Sequence, residues 1–380
     1  MDENIEFSPI EKMLFARAAE KRMPIYAGFE LTPYCNLACR MCYVKETAPG
    51  LPVLDGDAWL DIGRQAAEAG TLVVQLTGGE PMLHPDFRKI YTGLRNMGMV
   101  VTMNTNGTLI DEDMADFLAA NMPRRVNVSL YGPNREVYQH LCGVPDAFDK
   151  TIRAIELMKE RNIPVKINLT PNTINFDYLD ELFEICRKYE LYVDMTVYMF
   201  EPIRKSCRDK QGYRLDAQRM AIALEKLDRY RMDENNMIAR AIFAYRALEA
   251  YDPASMTDEL IPLTCRAATS STWVCWDGKM NGCVNMTQPR ADIGELGFGG
   301  AWKKVKAYGE TIRVPAKCTQ CSLRIFCQNC GAIGFHENGT FEKAPQIMCD
   351  AAEAYAKNLT RNVVKRKKRR RPSDENPKES

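Results

Sequence analysis

Between residues 24 and 200, short apolar and β-branched runs alternate with stretches whose apolar positions recur every three or four residues. The short runs predict strands at Ile25–Thr32, Thr71–Thr77, Met99–Met103, Arg125–Leu130, Val165–Leu169 and Tyr192–Tyr198. The longer stretches predict helices at Asp57–Ala69, Pro85–Met97, Asp111–Ala120, Phe148–Arg161 and Tyr178–Tyr189. In the last of these, Leu179, Leu182, Phe183 and Cys186 mark a single apolar face. Asp111 and Asp177 suit N-terminal caps, and Gly70 and Gly98 suit helix stops. Six strands, each joined to the next by a helix, predict parallel pairing with right-handed crossovers. Six βα units are too few for a closed eight-unit barrel, so the expected fold is α/β, an open partial (βα)6 barrel. Such folds carry their chemistry on the loops beyond the carboxyl ends of the strands. Those loops hold Cys35, Cys39 and Cys42 after the first strand, and Gly78-Gly79-Glu80-Pro81 after the second. Thr105-Asn106-Gly107 follows the third strand, and Ser129-Leu130-Tyr131-Gly132 stands at the fourth.

Residues 216–250 lose this alternation and read as a long helical stretch rich in Ala, Leu, Met and Arg. The expected organisation is an N-terminal extension (1–23), a partial barrel (24–215), a helical connector (216–261), a small Cys-rich α+β domain (262–350) and a C-terminal helix with a basic disordered tail (351–380). No apolar run approaches ~18 residues, which argues against a membrane span. The acidic start Met1-Asp2-Glu3-Asn4 does not look like a secretory signal, so a cytoplasmic protein is expected. Disulfides are rare there, and fourteen cysteines in 380 residues point to metal ligation instead. The formal net charge of +1 conceals seven consecutive basic residues at 365–371, which leaves the body mildly acidic. Such a tail reads first as a solvated chain end; screened attraction could also hold RNA, an acidic peptide or a membrane surface.

The spacing C-x3-C-x2-C at Cys35, Cys39 and Cys42 offers three thiolates and no fourth. A four-iron cluster takes four ligands, so three leave one iron open to another molecule, as S-adenosylmethionine (SAM) radical chemistry requires. A zinc site completed by a distant Cys is the competing reading. A second field holds Cys265, Cys283, Cys318, Cys321, Cys327, Cys330 and Cys349, with Cys275 as an eighth. Trp273–Trp276 and Lys279–Asn281 read as a hairpin on an Asp277-Gly278 turn, which directs Cys283 back toward Cys265. The C-x2-C-x5-C-x2-C run at 318–330 also admits zinc, yet seven or eight thiolates exceed one tetrahedral site.

Taken together, C-x3-C-x2-C, Gly-Gly-Glu-Pro and the cysteine field resemble radical SAM enzymes with a C-terminal SPASM domain, over about residues 24–350. The resemblance implies a SAM-binding [4Fe-4S] cluster on Cys35, Cys39 and Cys42 and two auxiliary [4Fe-4S] clusters. Cys265, Cys283 and Cys330 would serve the nearer auxiliary cluster, and Cys318, Cys321, Cys327 and Cys349 the farther. Met41 and Tyr43 would meet the adenine. Gly78 and Gly79 would let backbone approach the SAM amino group, with Glu80 an acceptor nearby and Pro81 fixing the turn. Asn106 and Ser129 would contact the ribose or the amino-acid end. One departure concerns Cys327 and Cys330, which are separated by two residues where the family has three. That leaves Cys330 in doubt and Cys275 as an alternative fourth ligand of the nearer cluster. Without Cys275, one iron there would stay open.

The resemblance also implies reductive SAM cleavage to a 5′-deoxyadenosyl radical, with electrons from a flavodoxin- or ferredoxin-type donor. The leading expectation is modification of a ribosomally made peptide by a cross-link or an oxidation. Only about 24 residues precede the first strand, too few for a leader-recognition domain, so a separate leader-recognition protein, the connector helices or the basic tail would take that part. Oxidation or decarboxylation of a small molecule, such as a tetrapyrrole side chain, is the alternative; a non-catalytic zinc and nucleic-acid binder is the third. Membrane and nucleic-acid partners are not expected. The sulfatase-activating branch tends to carry a carboxylate where this chain has Val284. Cys142 is a weak candidate for returning a hydrogen atom to a substrate radical; a buried, inert thiol is the favoured reading. Cys207, among charged residues, is a weaker candidate, and Cys186 reads as packing. His84, His140 and His336 read as structural. Strand alternation places Glu30 and Thr32 on one face and Lys166 and Asn168 on another, all candidates for positioning SAM or substrate.

Overall fold

The computed structural model describes residues 8–44, 50–202 and 212–369, with side chains through residue 361. Strands β1 (Tyr26–Glu30), β2 (Val73–Thr77), β3 (Val100–Thr105), β4 (Arg125–Ser129), β5 (Val165–Leu169) and β6 (Tyr192–Met195) lie side by side in that order, all parallel. The α/β partial barrel is therefore present. Its helices Gly56–Glu68, Phe87–Asn96, Glu112–Ala120, Ala147–Glu160 and Leu179–Lys188 sit close to their predicted bounds. Strand alternation sorts the residues into layers. Phe29, Leu76, Met103, Val126, Ile167 and Val193 are fully buried in the main core. The intervening positions Glu30, Gln75, Thr77, Asn104, Asn127 and Lys166 give the opposite, concave face a polar lining.

Register corrects one expectation about that lining. Glu30 pairs with Thr77, Asn104 with Asn127, and Asn127 with Lys166. The step between β2 and β3, Leu76 beside Met103, continues the same row. Glu30 and Lys166 thus share one face, because register across the sheet, rather than alternation within a strand, decides which side chains meet. Lys166 donates to Asp194 at 3.0 Å, and burial pulls its ammonium pKa below the ordinary value.

The helix ends show which local signals were sufficient. Asp111 accepts from the Met114 N–H at 2.9 Å, a side-chain cap. Gly70 and Gly98 follow helix ends with φ of +96° and +82°. Asp177 is no cap: it lies inside a 3-10 turn, Phe176–Tyr178, and the next helix starts at Leu179 without a side-chain cap. Two helices before residue 200 lay outside the sequence expectation. Pro9–Glu20 starts with a reciprocal capping box between Ser8 and Glu11. Arg135–Cys142 is capped by Asn134 and stopped by Gly143 at φ +74°.

The C-terminal part contributes β7 (Leu260–Pro262), β8 (Ser271–Val274), β9 (Lys279–Asn281), β10 (Ala291–Asp292) and β11 (Arg313–Pro315). β8 and β9 form the expected hairpin, with Gly278 in its turn at φ +75°. β8 also pairs in parallel with β1, so one nine-stranded sheet crosses residue 262. β7 and β11 pair separately. The indole of Trp273 on β8 lies over Gly28 of β1, where a Cβ would come within 2.2 Å of its ring. Its Nε1–H donates to Glu30 at 3.3 Å.

Helices Ala217–Arg231 and Glu234–Glu249 pack chiefly against the C-terminal helix Gln346–Arg369 rather than the barrel alone. Arg240 pairs there with Asp228 at 2.7 Å, and Tyr355 donates to Asp228. The backbone of 365–369 continues that helix; residues 370 and 371 lie outside the described residues. No helix among the described residues is long and apolar enough to cross a membrane.

Because Trp273 occupies the space above Gly28, Gly28→Ala should displace the indole and destabilise the chain by about 1–3 kcal/mol, as overpacking does. Chemical denaturation of variant and parent checks this.

Candidate active site

The loop after β1 is tied from three sides. Toward β2, Gly79 N–H donates to Thr32 O and Glu80 N–H to Tyr34 O, both at 2.8 Å. Toward the helix Arg135–Cys142, Ala38 N–H donates to Cys142 O at 2.8 Å and Arg40 N–H to Leu141 O at 2.9 Å. Toward β3, Asn106 Nδ2 donates to Asn36 at 2.8 Å and lies 3.7 Å from Cys35 Sγ. Cys35, Cys39 and Cys42 are half-buried in this loop.

The glycines have a use within the protein itself. A Cβ at Gly79 would stand 2.2 Å from Tyr34 O, and one at Gly78 2.5 Å from Thr32 O. Their missing side chains let the β2 loop press on the cysteine loop itself. Glu80 is likewise internal. It is fully buried, and its carboxylate accepts from Thr105 Oγ1 at 2.9 Å, Asn106 N–H at 2.8 Å and Met82 N–H at 3.3 Å. It joins the β2 loop to the β3 loop, and burial pushes its pKa up to about 7. Pro81 is buried and opens a 3-10 turn.

Other expected residues ring the same loop. Met41 Sδ lies 3.1 Å from Asn172 Nδ2, on the loop after β5, and Tyr43 packs on Phe200 with ring centroids 6.2 Å apart. Ser129 ends β4 beside Asn168 and hydrogen-bonds the Tyr131 phenol, which burial and the nearby Cys39 and Cys142 push upward. Cys142 is fully buried in the core, and its carbonyl holds Ala38. Asn36 and Asn172 were not singled out from sequence. Asn172 had one usable signal: it follows β5 by a few residues, as Asn106 follows β3. Cys207 lies outside the described residues. His84 bridges Leu54 O and Asp86 N–H, and His336 packs on Phe200.

The second field gathers into two groups. Cys283 feels the charge of Cys265 and Cys330, and Cys265 that of Cys330. Cys349 feels Cys327, Cys318 and Cys321. Cys275 lies elsewhere. Trp273 opposite Asn281 sets Cys275 near the turn and Cys283 beyond the far end of the hairpin. About four residues of strand separate them, roughly 13 Å. The pairing thus places Cys275 and Cys283 toward opposite ends of the hairpin.

The donor set fits iron–sulfur clusters. Cys35, Cys265, Cys283 and Cys327 each accept a backbone N–H from two residues ahead, at 3.2–3.4 Å, from Leu37, Ala267, Asn285 and Asn329. Such bonds favour the thiolate and tune a cluster. Burial pushes Cys283 up to about 12 and Cys349 to about 11, so gathered thiolates need cationic compensation. No three His, Cys, Asp or Glu side chains among the described residues close around one point, as a single zinc ion requires. A cluster gives each thiolate its own iron and accepts a wider spread.

Residues 29–186 match the model of the Radical SAM superfamily. The chain is 24% identical over 345 residues to a protein of Oleidesulfovibrio alaskensis named AdoMet-dependent heme synthase, spanning 85% of this chain and 86% of that one. Among solved structures it is similar to Streptococcus suis SuiB bound to the precursor peptide SuiA. That likeness has TM-score 0.61 and 19% identity, covering 92% of this chain and 83% of the other. It is also similar to native anSMEcpe with bound AdoMet and the Kp18Cys peptide. There the TM-score is 0.66 and the identity 18%, covering 90% of this chain and 99% of that one.

Two variants follow from the loop contacts. Gly79→Ala should force the cysteine loop away from β2 and lower iron retention by the first three cysteines, read by iron analysis. Glu80 ionises at an ordinary 4.5 in the unfolded chain and near 7 when folded. The folded state holds the proton more tightly between those values, so stability falls as pH rises through that window. Glu80→Gln should remove that part of the slope in denaturation curves taken from pH 4.5 to 7.

Proposed function

We propose that this chain, whose residues 29–186 match the Radical SAM superfamily model, is an enzyme of that superfamily that modifies a ribosomally made peptide by a cross-link or an oxidation. Cys35, Cys39 and Cys42 hold the [4Fe-4S] cluster that the superfamily uses with SAM. Cys318, Cys321, Cys327 and Cys349 hold an auxiliary cluster, and Cys265, Cys283 and Cys330 hold another. When bound, the first cluster and SAM supply the electron and the 5′-deoxyadenosyl radical that takes hydrogen from an unactivated carbon.

The observation that carries the reading is the three-sided clamp on the cysteine loop. Gly78 and Gly79 set its distance from β2, Glu80 locks that contact to Thr105 and Asn106, and the Cys142 carbonyl holds Ala38. The clamp fixes three half-buried thiolates on one loop, as preorganised placement requires. Asn106, beside Cys35 Sγ, positions that thiolate. Met41, against Asn172, and Ser129, at the end of β4, stand on neighbouring segments. The polar concave row from Glu30 to Lys166 gives a substrate hydrogen-bonding groups below the loop.

Two solved structures of similar fold, described with bound peptides, support the peptide substrate. A second reading is oxidation or decarboxylation of a small molecule such as a tetrapyrrole side chain. It is favoured by relatives named heme synthase that align over most of both chains. The deciding experiment incubates reconstituted enzyme, SAM and a reductant without oxygen, either with a short peptide encoded beside its gene or with a tetrapyrrole carboxylate. A mass change in the peptide supports the first reading; loss of carbon dioxide from the tetrapyrrole supports the second.

Cys39→Ala should abolish 5′-deoxyadenosine formation while iron stays bound to the C-terminal groups. Cys321→Ala should lower iron content and leave uncoupled SAM cleavage. Loss of all iron from the Cys39 variant would contradict the three-cluster assignment.

A further inference from the structure

β6 is the last strand of the nine-stranded sheet, so among the described residues one of its edges has no neighbouring strand. On its paired side, Thr196 N–H continues the ladder by donating to Leu169 O at 3.1 Å. Backbone groups of successive residues alternate sides along an extended chain, so Met195 O and Val197 N–H face the open edge. One side chain takes both. Gln328 Nε2 donates to Met195 O at 2.9 Å, and Val197 N–H donates to Gln328 Oε1 at 3.1 Å. A single carboxamide thus makes the two bonds that a residue of a further parallel strand would make. Val197 and Tyr198 are fully buried beside it, where unpaired backbone groups are costly.

Gln328 stands in the turn between Cys327 and Cys330. The next residue, Asn329, donates its N–H to Cys327 Sγ at 3.4 Å, and its Nδ2 lies 3.6 Å from Cys318 Sγ. In the other direction, the chain beyond Val197 leads to the first cysteine loop. Tyr198 donates to Glu337 at 2.6 Å. The Phe200 ring lies 5.0 Å from that of His336 and 6.2 Å from that of Tyr43, centroid to centroid. Tyr43 directly follows Cys42. His336 and Glu337 belong to the helix Gly331–Asn338, which starts right after Cys330. The short stretch 328–337 therefore grips segment 195–200, and that segment touches the first cysteine loop at its far end.

We infer that Gln328 is a positioning residue for SAM binding at the first three cysteines. Its carboxamide replaces a missing strand at the edge of β6 and, through Val197 and Phe200, sets where Tyr43 stands. The effect passes through hydrogen bonds and ring packing, so no contact between Gln328 and SAM is required. The inference rests on the reading that Cys35, Cys39 and Cys42 hold a cluster that binds SAM.

The test uses the full chain, reconstituted with iron and sulfide, as parent and as Gln328→Met, which keeps the side-chain length and loses both hydrogen bonds. Backbone hydrogen exchange reads Val197, and iron analysis reads the clusters. Electron paramagnetic resonance of the reduced protein, titrated with SAM, reads the first cysteines. At unchanged iron content, exchange at Val197 should quicken about fivefold, the scale of one net hydrogen bond, and the SAM concentration that half-converts the signal should rise by a similar factor. Faster exchange with an unmoved SAM titration would make Gln328 a tie between barrel edge and C-terminal part and no more, and would overturn the inference. Unchanged exchange would overturn it as well. A parent signal that ignores SAM would instead overturn the SAM-binding reading beneath it. Should Gln328→Met fail to fold or lose iron, Phe200→Leu cuts the last link: it should shift the SAM titration and leave Val197 protected, and an unmoved titration there would again overturn the inference.

Discussion

Backbone meets backbone where the loop after β2 touches the loop after β1, and the site depends on that contact. Gly78 and Gly79 lie so near Thr32 and Tyr34 that any side chain would part the two loops. Two N–H···O bonds then fix the distance, and Glu80 carries the constraint onward to Thr105 and Asn106. Asn106 in turn reaches the cysteine loop through Asn36. The result is a closed circuit of hydrogen bonds across three strands, with a buried carboxylate as its junction. A carboxylate so placed is costly unless it is fully bonded, and it rigidifies what it joins when it is. The thiolates inherit that rigidity because they stand on the loop the circuit encloses.

Much of the barrel was legible because its signals are local. β-branched runs, three- and four-residue apolar spacing, the Asp111 cap and the glycine stops each act within a few residues, and all recur in the structure. Asp177 failed as a cap because a 3-10 turn, Phe176–Tyr178, took up that position. The helix Arg135–Cys142 is short, and its Gly132-Pro133-Asn134 approach reads as loop; yet its C-terminal carbonyls hold the cysteine loop. The cysteine spacing disclosed the chemistry, whereas the roles of Gly78, Gly79 and Glu80 needed coordinates. Their partners lie some 45 residues or 25 residues away, at Tyr34 and Thr105.

The division between barrel and Cys-rich part, plain in composition, is blurred in space. Trp273 comes from beyond residue 262 yet lies on Gly28 and reaches Glu30 inside the barrel. Gln65 accepts from Phe298 N–H at 2.8 Å, and Trp302 donates to Arg22 O at 3.2 Å, adding two more ties between the parts.

The parallel pairing of β8 with β1 also bears on how the chain is made. The first barrel strand leaves the ribosome early, while the strand that covers its outer edge comes from the last third of the sequence. Until then β1 presents open N–H and C=O groups, the kind of edge along which chains associate wrongly. Contacts so distant in sequence also slow the search for the native state. The nascent protein thus carries an exposed sheet edge through most of its synthesis, and a truncation before residue 271 would leave that edge bare for good.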